Sequence, residues 1–128
     1  ITNRLVGSEM CIRDRPIAKL GGNLEIISRA RIEINAMRLA VLQAAKAMDV
    51  LGNKEARVYV SAIKAMVPEK ACKIIDQAIQ MHGAAGISQW TPLAGLYTDI
   101  RHLRFADGPD EVHHMVVGRA EMQKYDLW

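Results

Sequence analysis

The feature that most constrains the fold is a helical repeat of apolar residues that runs from Leu24 to Ile79 with one interruption. Apolar residues recur at three- and four-residue steps, as they do along one face of an amphipathic helix. The interruption is Gly52-Asn53, a pair typical of a helix C-terminus. The repeat therefore predicts two long helices, the first ending at about Leu51 and the second beginning near Lys54.

A single proline falls inside the second predicted helix. Pro68 removes one backbone hydrogen bond, and it would bend the helix or divide it at Met66-Val67. The apolar stripe keeps its phase across the proline, which predicts a kinked but continuous helix. The helix then runs into the segment Gln80 to Gly86, where Gly83 or Gly86 is expected to end it.

Two shorter helices are predicted after a loop over residues 87–92, one from Leu93 to Arg101 and one from Pro109 to about Tyr125. No segment alternates as a strand does. Only six residues are aromatic, and Ala, Ile, Leu, Val and Met carry the apolar content, which favours packed helices. Because the connections are short, the predicted fold is all-α, an up-down arrangement like a four-helix bundle.

Composition excludes several functional classes. The net charge is +3 and the basic residues are dispersed, so no nucleic-acid footprint is expected. No apolar run has transmembrane length, and no secretory leader is recognisable. Cys11 and Cys72 make neither a disulfide framework nor a zinc site, which favours a reducing compartment. Cys72, in the middle of a helix, is expected to be a buried hydrophobe.

The first fifteen residues follow neither a helical nor a strand period. Leu5 to Arg15 resembles a stretch that arises by translation of sequencing-adapter read-through. We therefore expect residues 1–15 to be largely non-native and the helical domain to span residues 16–128. This expectation implies that the chain is a fragment cut at its amino end.

The segment LRFADGPDEVHH, residues 103–114, holds the first candidate site. Asp107 precedes a glycine, and Pro109 suits the first turn of a new helix. Asp110 and Glu111 place negative charge at the positive end of the helix dipole. An aspartate here is typical of a helix cap or turn, which local sequence favours, and a carboxylate beside a helix N-terminus can also act as a chemical group.

The second candidate site is the segment Gln80 to Gly86, QMHGAAG. A helix that ends in small residues and two glycines can bring its backbone close to a ligand. The segment is not a dinucleotide-binding fingerprint, and no strand precedes it. Local sequence favours a simple helix C-terminus and leaves a ligand contact open.

Other reactive side chains do not form a recognisable site. His113 and His114 are adjacent, so their side chains point about 100° apart on a helix, which does not favour a shared metal. His82 and His102 are isolated. Ser61 and Ser88 lack the context of a catalytic triad, so no metal or hydrolase site is predicted.

The order of these motifs resembles a known family. ARIEINAMRLAVLQAAKAMD is followed by QMHGAAGISQWTPLAGLYTD, then by LRFADGPDEVHH and a last helix. In combination they resemble the C-terminal helical domain of the acyl-CoA dehydrogenases. The resemblance is greatest to the branch that, in animals, is joined to a kinase domain of the aminoglycoside-phosphotransferase type. It covers about Pro16 to Asp126.

The resemblance implies a helical bundle that completes a three-domain flavoenzyme with bound FAD. Such enzymes oxidise an acyl-CoA to the trans-2-enoyl-CoA by removing an α-proton and transferring a β-hydride to the flavin. By position, Asp107 corresponds to the base of the family pattern Glu-Gly-Thr, and Gly108 borders the substrate. The residues that correspond to FAD contacts are Gln80, Met81, His82, Gly83, Ala84, Pro109, Asp110 and Glu111.

Those residues fall into two groups in the family. Residues 109–111 would contact the FAD beside Asp107, whereas residues 80–84 would reach the FAD of a neighbouring subunit, which implies a homodimer or homotetramer. An electron-transfer flavoprotein is the expected electron acceptor. The expected location is cytoplasmic in a bacterium and mitochondrial or peroxisomal in a eukaryote.

The chain departs from the common family pattern at several positions. Asp107 replaces Glu and is shorter by one methylene, and Pro109 replaces a Thr whose hydroxyl would donate to the flavin. Ala84 replaces the second Gly of a pair, and Thr98-Asp99 stands where the family has Arg-Asp. The motif DGPDEVH resembles that of the branch named above, in which aspartate would be the normal base.

Three alternatives stay open at the level of sequence. Some family members carry the base on an earlier helix, which this chain lacks. The chain could instead be a non-catalytic helical module for assembly or ligand binding. It could also belong to an acyl-CoA oxidase-like enzyme that passes electrons to oxygen.

Overall fold

The structure is a computed structural model in which residue 19 and residues 21–127 are described. The expectation that residues 1–15 are non-native lies outside the described residues, as does Cys11. The predicted domain start at residue 16 lies outside them too.

Two long helices dominate the fold. Helical structure is continuous over Asn23–His82 except at Gly52, where φ is 79° and ψ is 169°. These angles are essentially restricted to glycine, so Gly52 separates α1 (residues 23–51) from α2 (residues 53–82). The predicted break is confirmed. Pro68 lies inside α2 without non-helical backbone angles, so α2 is not divided there.

The first two helices form an antiparallel hairpin about Gly52. Lys70 on α2 pairs with Glu33 on α1 at 3.1 Å, and Val41 shares a groove with Val60. Small buried residues line the contact, which lets the two helices approach closely. The buried apolar residues are Met37, Ala44, Ala47, Ala56, Ala65 and Cys72. Cys72 is buried, as predicted.

A short 3₁₀ turn, Gly83–Ile87, leads from α2 into the C-terminal half, where α3 is Leu93–His102 and α4 is Asp110–Gln123. Tyr97 of α3 borders a cavity with Cys72 of α2, and Lys64 of α2 bonds the carbonyl that precedes α4. The chain thus returns along α2. Among the described residues α3 and α4 do not approach each other, so they lie end to end against α2.

The all-helical fold class is confirmed, since residues 21–127 contain no strand. The C-terminal helices start where predicted to within one residue. Among the described residues, no helix is both long and apolar enough to cross a membrane.

The exposed surface of α1 is unusually apolar. Many of its large hydrophobic residues are exposed, a pattern typical of surfaces that contact other protein. These residues are Leu24, Ile27, Ile32, Ile34, Leu39, Val41, Leu42, Met48, Val50 and Leu51. By contrast, α2 has neighbours on two sides and is the central helix of the fold.

Candidate functional site

Asp107 lies on a tight turn between α3 and α4. Its φ is 53°, and that of the next residue, Gly108, is 103°, so two consecutive residues have left-handed backbone angles. Aspartate tolerates this region better than most residues because its short side chain is polar. The backbone N–H of Asp110 donates to the carbonyl of Arg104 at 3.0 Å and closes the loop. We call residues 107–108 the Asp107 turn.

Two side-chain contacts hold the Asp107 turn, and a third holds the loop around it. Lys64 Nζ donates to the carbonyl oxygen of Gly108 at 2.7 Å. His113 Nε2 donates to the carbonyl oxygen of Asp107 at 3.3 Å. Arg104 Nε donates to Oδ2 of Asp110 at 2.6 Å and joins the loop to the first turn of α4. The turn is therefore tied to α2, to α4 and to the preceding loop.

The Asp107 carboxylate itself is exposed and makes no hydrogen bond or ion pair with the described residues. The favoured local interpretation of Asp107 as a helix cap is wrong. The N-cap of α4 is Pro109, and no side chain caps the helix. A capping residue has extended backbone angles and directly precedes the helix, whereas Asp107 is left-handed and lies two residues further back. The carboxylate remains available to a ligand.

Asp110 is only 5% exposed, and its carboxylate is turned toward Arg104 and α2. Its Oδ1 has no hydrogen-bond partner and lies 4.0 Å from Lys64 Nζ. The hydrogen bond to Asp110 raises the pKa of the Arg104 guanidinium above its ordinary value. The Asp110 side chain is thus engaged inside the protein, while its neighbours Pro109 and Glu111 are exposed.

The second predicted segment lies at the far end of α2. Gln80, Gly83 and Ala84 are exposed, and Met81 and His82 are half-buried. The His82 Nδ1–H donates to the carbonyl oxygen of Ala78 at 2.7 Å, so this histidine is held on its own helix. An exposed amide and exposed backbone at this helix end could contact a polar ligand.

The 3₁₀ turn that follows is packed tightly onto α2. A Cβ at Gly86 would lie 2.6 Å from the carbonyl oxygen of Ile79, a distance that real Cβ atoms do not adopt. The hydroxyls of Ser88 and Thr91 both donate to the carbonyl oxygen of Ala85, at 2.9 and 3.1 Å. The turn is therefore fixed from both sides, and Gly86 is required by packing.

The structure does not bring the two predicted segments together. The Asp107 turn contacts α2 at Lys64, and α2 ends eighteen residues later at His82. At 1.5 Å per residue, Lys64 and His82 are about 27 Å apart along the helix. Among the described residues, the 3₁₀ turn Gly83–Ile87 has no close approach to α4. Asp107, Gly108, Pro109, Asp110 and Glu111 do lie together.

The site also contains Lys64, Arg104 and His113, which the sequence does not predict as parts of it. Arg104 could have been paired with Asp110, because an arginine six residues before a helix-starting aspartate can fold back to it. Lys64 lies 44 residues before Gly108, and nothing in its local sequence distinguishes it from other lysines on α2. For His113 the sequence favours a surface or helix-terminal role over metal binding and does not predict its contact with Asp107; the described residues contain no group of three His, Cys, Asp or Glu side chains that could hold a metal.

Lys73 offers a contrast on the same helix. It donates to Glu69 Oε1 at 2.5 Å across one turn, on a largely exposed face. This hydrogen bond keeps the pKa of the Glu69 carboxyl below its ordinary value. Lys73 thus makes a local contact within α2, whereas Lys64 reaches a different element.

Comparison with known proteins places this geometry in a family context. Residues 13–122 match the family model described as acyl-CoA dehydrogenase, C-terminal domain. FadE2 of Mycobacterium tuberculosis, named as an acyl-CoA dehydrogenase, is 50% identical over 110 residues, which cover 86% of this chain and 27% of that protein. Acyl-CoA dehydrogenase family member 10 of Mus musculus is 49% identical over 85% of this chain and 10% of its own length.

A solved structure from Mycobacterium abscessus, assigned to the acyl-CoA dehydrogenases, superposes with a TM-score of 0.88 at 48% identity. The superposition covers 93% of this chain and 29% of the other. The chain therefore spans between about a tenth and three tenths of the length of these relatives.

Proposed function

The chain belongs to the acyl-CoA dehydrogenase family, whose C-terminal domain it represents. We propose that it is the C-terminal part of an FAD-dependent enzyme. The proposed reaction oxidises an acyl-CoA to the trans-2-enoyl-CoA. The observation that carries the proposal is the Asp107 carboxylate, which is exposed and unpartnered in a loop that is held in place by contacts from Lys64, His113 and Arg104. A fixed backbone with an available carboxylate is what a general base requires.

In the proposed reaction, Asp107 removes the α-proton of the thioester. The proton moves to the carboxylate, and the electrons of that C–H bond form the new bond between the α- and β-carbons. FAD, when bound beside Pro109 and Glu111, would supply the redox chemistry as acceptor of the hydride from the β-carbon. Because aspartate is one methylene shorter than glutamate, this proposal requires the turn to be held closer to the substrate.

The residues present fit two separate contacts with a flavin. Pro109 and Glu111 are exposed beside the Asp107 turn and would border the flavin at that base. Gln80, Gly83 and Ala84 offer an exposed amide and exposed backbone where α2 ends. Because about 27 Å of helix separates Lys64, which contacts the Asp107 turn, from His82 at the end of α2, the second contact would serve the flavin of another subunit. We therefore propose a homodimer or homotetramer, with an electron-transfer flavoprotein as acceptor.

Substitution of the base tests the proposal in the full-length polypeptide that contains this chain. Asp107→Asn removes the proton acceptor but keeps the side-chain shape, so the rate of anaerobic flavin bleaching by acyl-CoA should fall by about 10²- to 10⁴-fold. FAD content should not change. Asp126→Asn is the matched control, because Asp126 is also exposed and has φ 54°.

Other outcomes separate the alternatives. Wild-type bleaching by Asp107→Asn would contradict the assignment of the base. A full-length protein that neither retains FAD nor bleaches with acyl-CoA would be a non-catalytic member of the family. Rapid oxygen consumption after bleaching would instead indicate an oxidase.

A further inference from the structure

Lys64 connects the central helix to the loop that carries the proposed base. Its ammonium group donates to the carbonyl oxygen of Gly108 at 2.7 Å, across 44 residues of sequence. The lysine side chain is 17% exposed and lies 4.0 Å from Oδ1 of Asp110, whose side chain is buried. A charged donor in a partly buried setting makes a stronger hydrogen bond than a neutral one.

We propose that Lys64 is a positioning residue for Asp107: it sets the distance between the carboxylate and the body of the domain. This inference rests on the proposed function, because it assigns a partner to the proposed base. Lys64 would not itself touch the substrate. It would act through the peptide group that joins Gly108 to Pro109, the second peptide group after Asp107.

Lys64 differs from Arg104 and His113 in the part of the chain from which it contacts the loop. The contacts from Arg104 and His113 come from residues within the segment 104–113, so they give that segment its internal shape and move with it. Of the three contacts, only Lys64 comes from α2. A shift of the whole segment relative to α2 would break the Lys64 contact and leave the other two intact.

The charges around Lys64 favour this role. Oδ2 of Asp110 pairs with Arg104, while Oδ1 has no hydrogen-bond partner and lies 4.0 Å from the Lys64 ammonium. The carboxylate therefore attracts the lysine toward the start of α4, while the Gly108 carbonyl accepts its proton. Both attractions pull the loop onto α2 at the same point.

Because the side chain of the proposed base is short, the position of the turn should strongly affect the reaction rate. A displacement of a catalytic group by about 1 Å can lower a reaction rate about 100-fold. Asp107 has one rotatable side-chain bond fewer than a glutamate would have, so it can compensate less for such a displacement. The backbone of the turn, and hence Lys64, sets where the carboxylate can reach.

The test uses Lys64→Met in the full-length polypeptide with bound FAD, a substitution that keeps a long side chain and removes the donor. The single-turnover rate of flavin reduction should fall about 10- to 100-fold, and the affinity for acyl-CoA should stay within about twofold. The kinetic isotope effect with α-deuterated substrate should rise because proton removal becomes slower. Lys73→Met, with the same substitution on α2, should change none of these values.

Hydrogen exchange gives a readout that does not depend on turnover. In Lys64→Met, amides of residues 104–112 should exchange about tenfold faster than in the wild type, and Lys73→Met should leave them unchanged. Lys64→Gln provides a polar second variant should Lys64→Met fail to bind FAD or fold. It should show the same loss of rate and the same local increase in exchange.

The outcomes distinguish this inference from the proposed function. If Asp107→Asn abolishes flavin reduction while both Lys64 variants keep the wild-type rate, the inference is overturned and the base assignment stands. Lower FAD content or acyl-CoA affinity with an unchanged isotope effect would show a purely structural lysine and would also overturn it. If Asp107→Asn keeps the wild-type rate, both proposals fail.

Discussion

Single residues of the Asp107 turn determine whether a carboxylate can project from it. Asp107 and Gly108 both have left-handed backbone angles, which direct the two carbonyl oxygens toward His113 and Lys64. Strained or sparsely populated backbone angles persist where surrounding contacts hold them, and they occur often at functional sites. The contacts on the backbone leave the side chain of Asp107 unengaged.

Gly108 is where a single added carbon should be most harmful in this turn. Its φ is 103°, and a Cβ there would lie 3.2 Å from Nε2 of His113. We expect Gly108→Ala to lower the free energy of unfolding by about 1–3 kcal/mol, as measured by urea denaturation.

Gly118→Ala is the matched control, since Gly118 lies inside α4 and a Cβ there meets no atom within 4 Å. It should raise the free energy of unfolding by about 0.5–1 kcal/mol, the usual difference between alanine and glycine in a helix. Equal stability of the two variants would contradict the backbone geometry at Gly108.

Among the elements, α2 organises the molecule. It receives α1 on one side and α3, the loop and α4 on another. It contacts the Asp107 turn through Lys64 and leads into residues 80–84 at its end. The rigidity of one continuous helix keeps those positions a set distance apart. Pro68 is compatible with this role because the helical backbone angles continue through it.

The end of α2 depends on the close approach of the 3₁₀ turn. Gly86→Ala would place a Cβ 2.6 Å from the backbone oxygen of Ile79, so either the turn or the helix end has to move. We expect a loss of about 1–3 kcal/mol in the free energy of unfolding. In the full-length polypeptide we also expect weaker retention of FAD.

Gly95→Ala serves as the control, because Gly95 lies in α3 and a Cβ there meets no atom within 4 Å. Thermal and urea denaturation would compare the two variants, and flavin absorbance after gel filtration would report FAD retention. A Gly86→Ala protein as stable as Gly95→Ala would show that the packing of Gly83–Ile87 on α2 is wrong.

The molecule as a whole contains residues of the proposed active site, but its described residues do not shield that site from water. The Asp107 carboxylate is exposed, residues 80–84 lie where α2 ends, and α1 exposes many large apolar residues. Proton removal from a thioester requires a site that excludes water and stabilises developing charge. The described residues do not form such an enclosure around Asp107.

We therefore expect the isolated chain to be inactive. Incubated with FAD and acyl-CoA under anaerobic conditions, it should neither bleach the flavin nor retain it through gel filtration. The full-length polypeptide, assayed in parallel, is the positive control. Turnover by the isolated chain would contradict this prediction and would require an enclosed site that these residues do not display.

Sequence alone determined the helices, because apolar periodicity and the backbone preferences of glycine and proline act locally. The break at Gly52, the end of α2 at His82 and the beginning of α4 follow from such local rules. The family followed from motifs in order along the chain. Asp107 was likewise identified as a candidate from its position before Gly-Pro and from the family pattern.

Only the tertiary structure decided what surrounds that aspartate. Local rules favoured a helix cap. In the structure, Asp107 and Gly108 have left-handed backbone angles, held by contacts from α2 and α4, and the Asp107 side chain does not cap α4. Lys64 meets Gly108 because α3 and α4 return along α2, and such a pairing over 44 residues leaves no periodic trace in a sequence. Local energetics specify elements, whereas long-range packing decides which side chains meet and which stay available for chemistry.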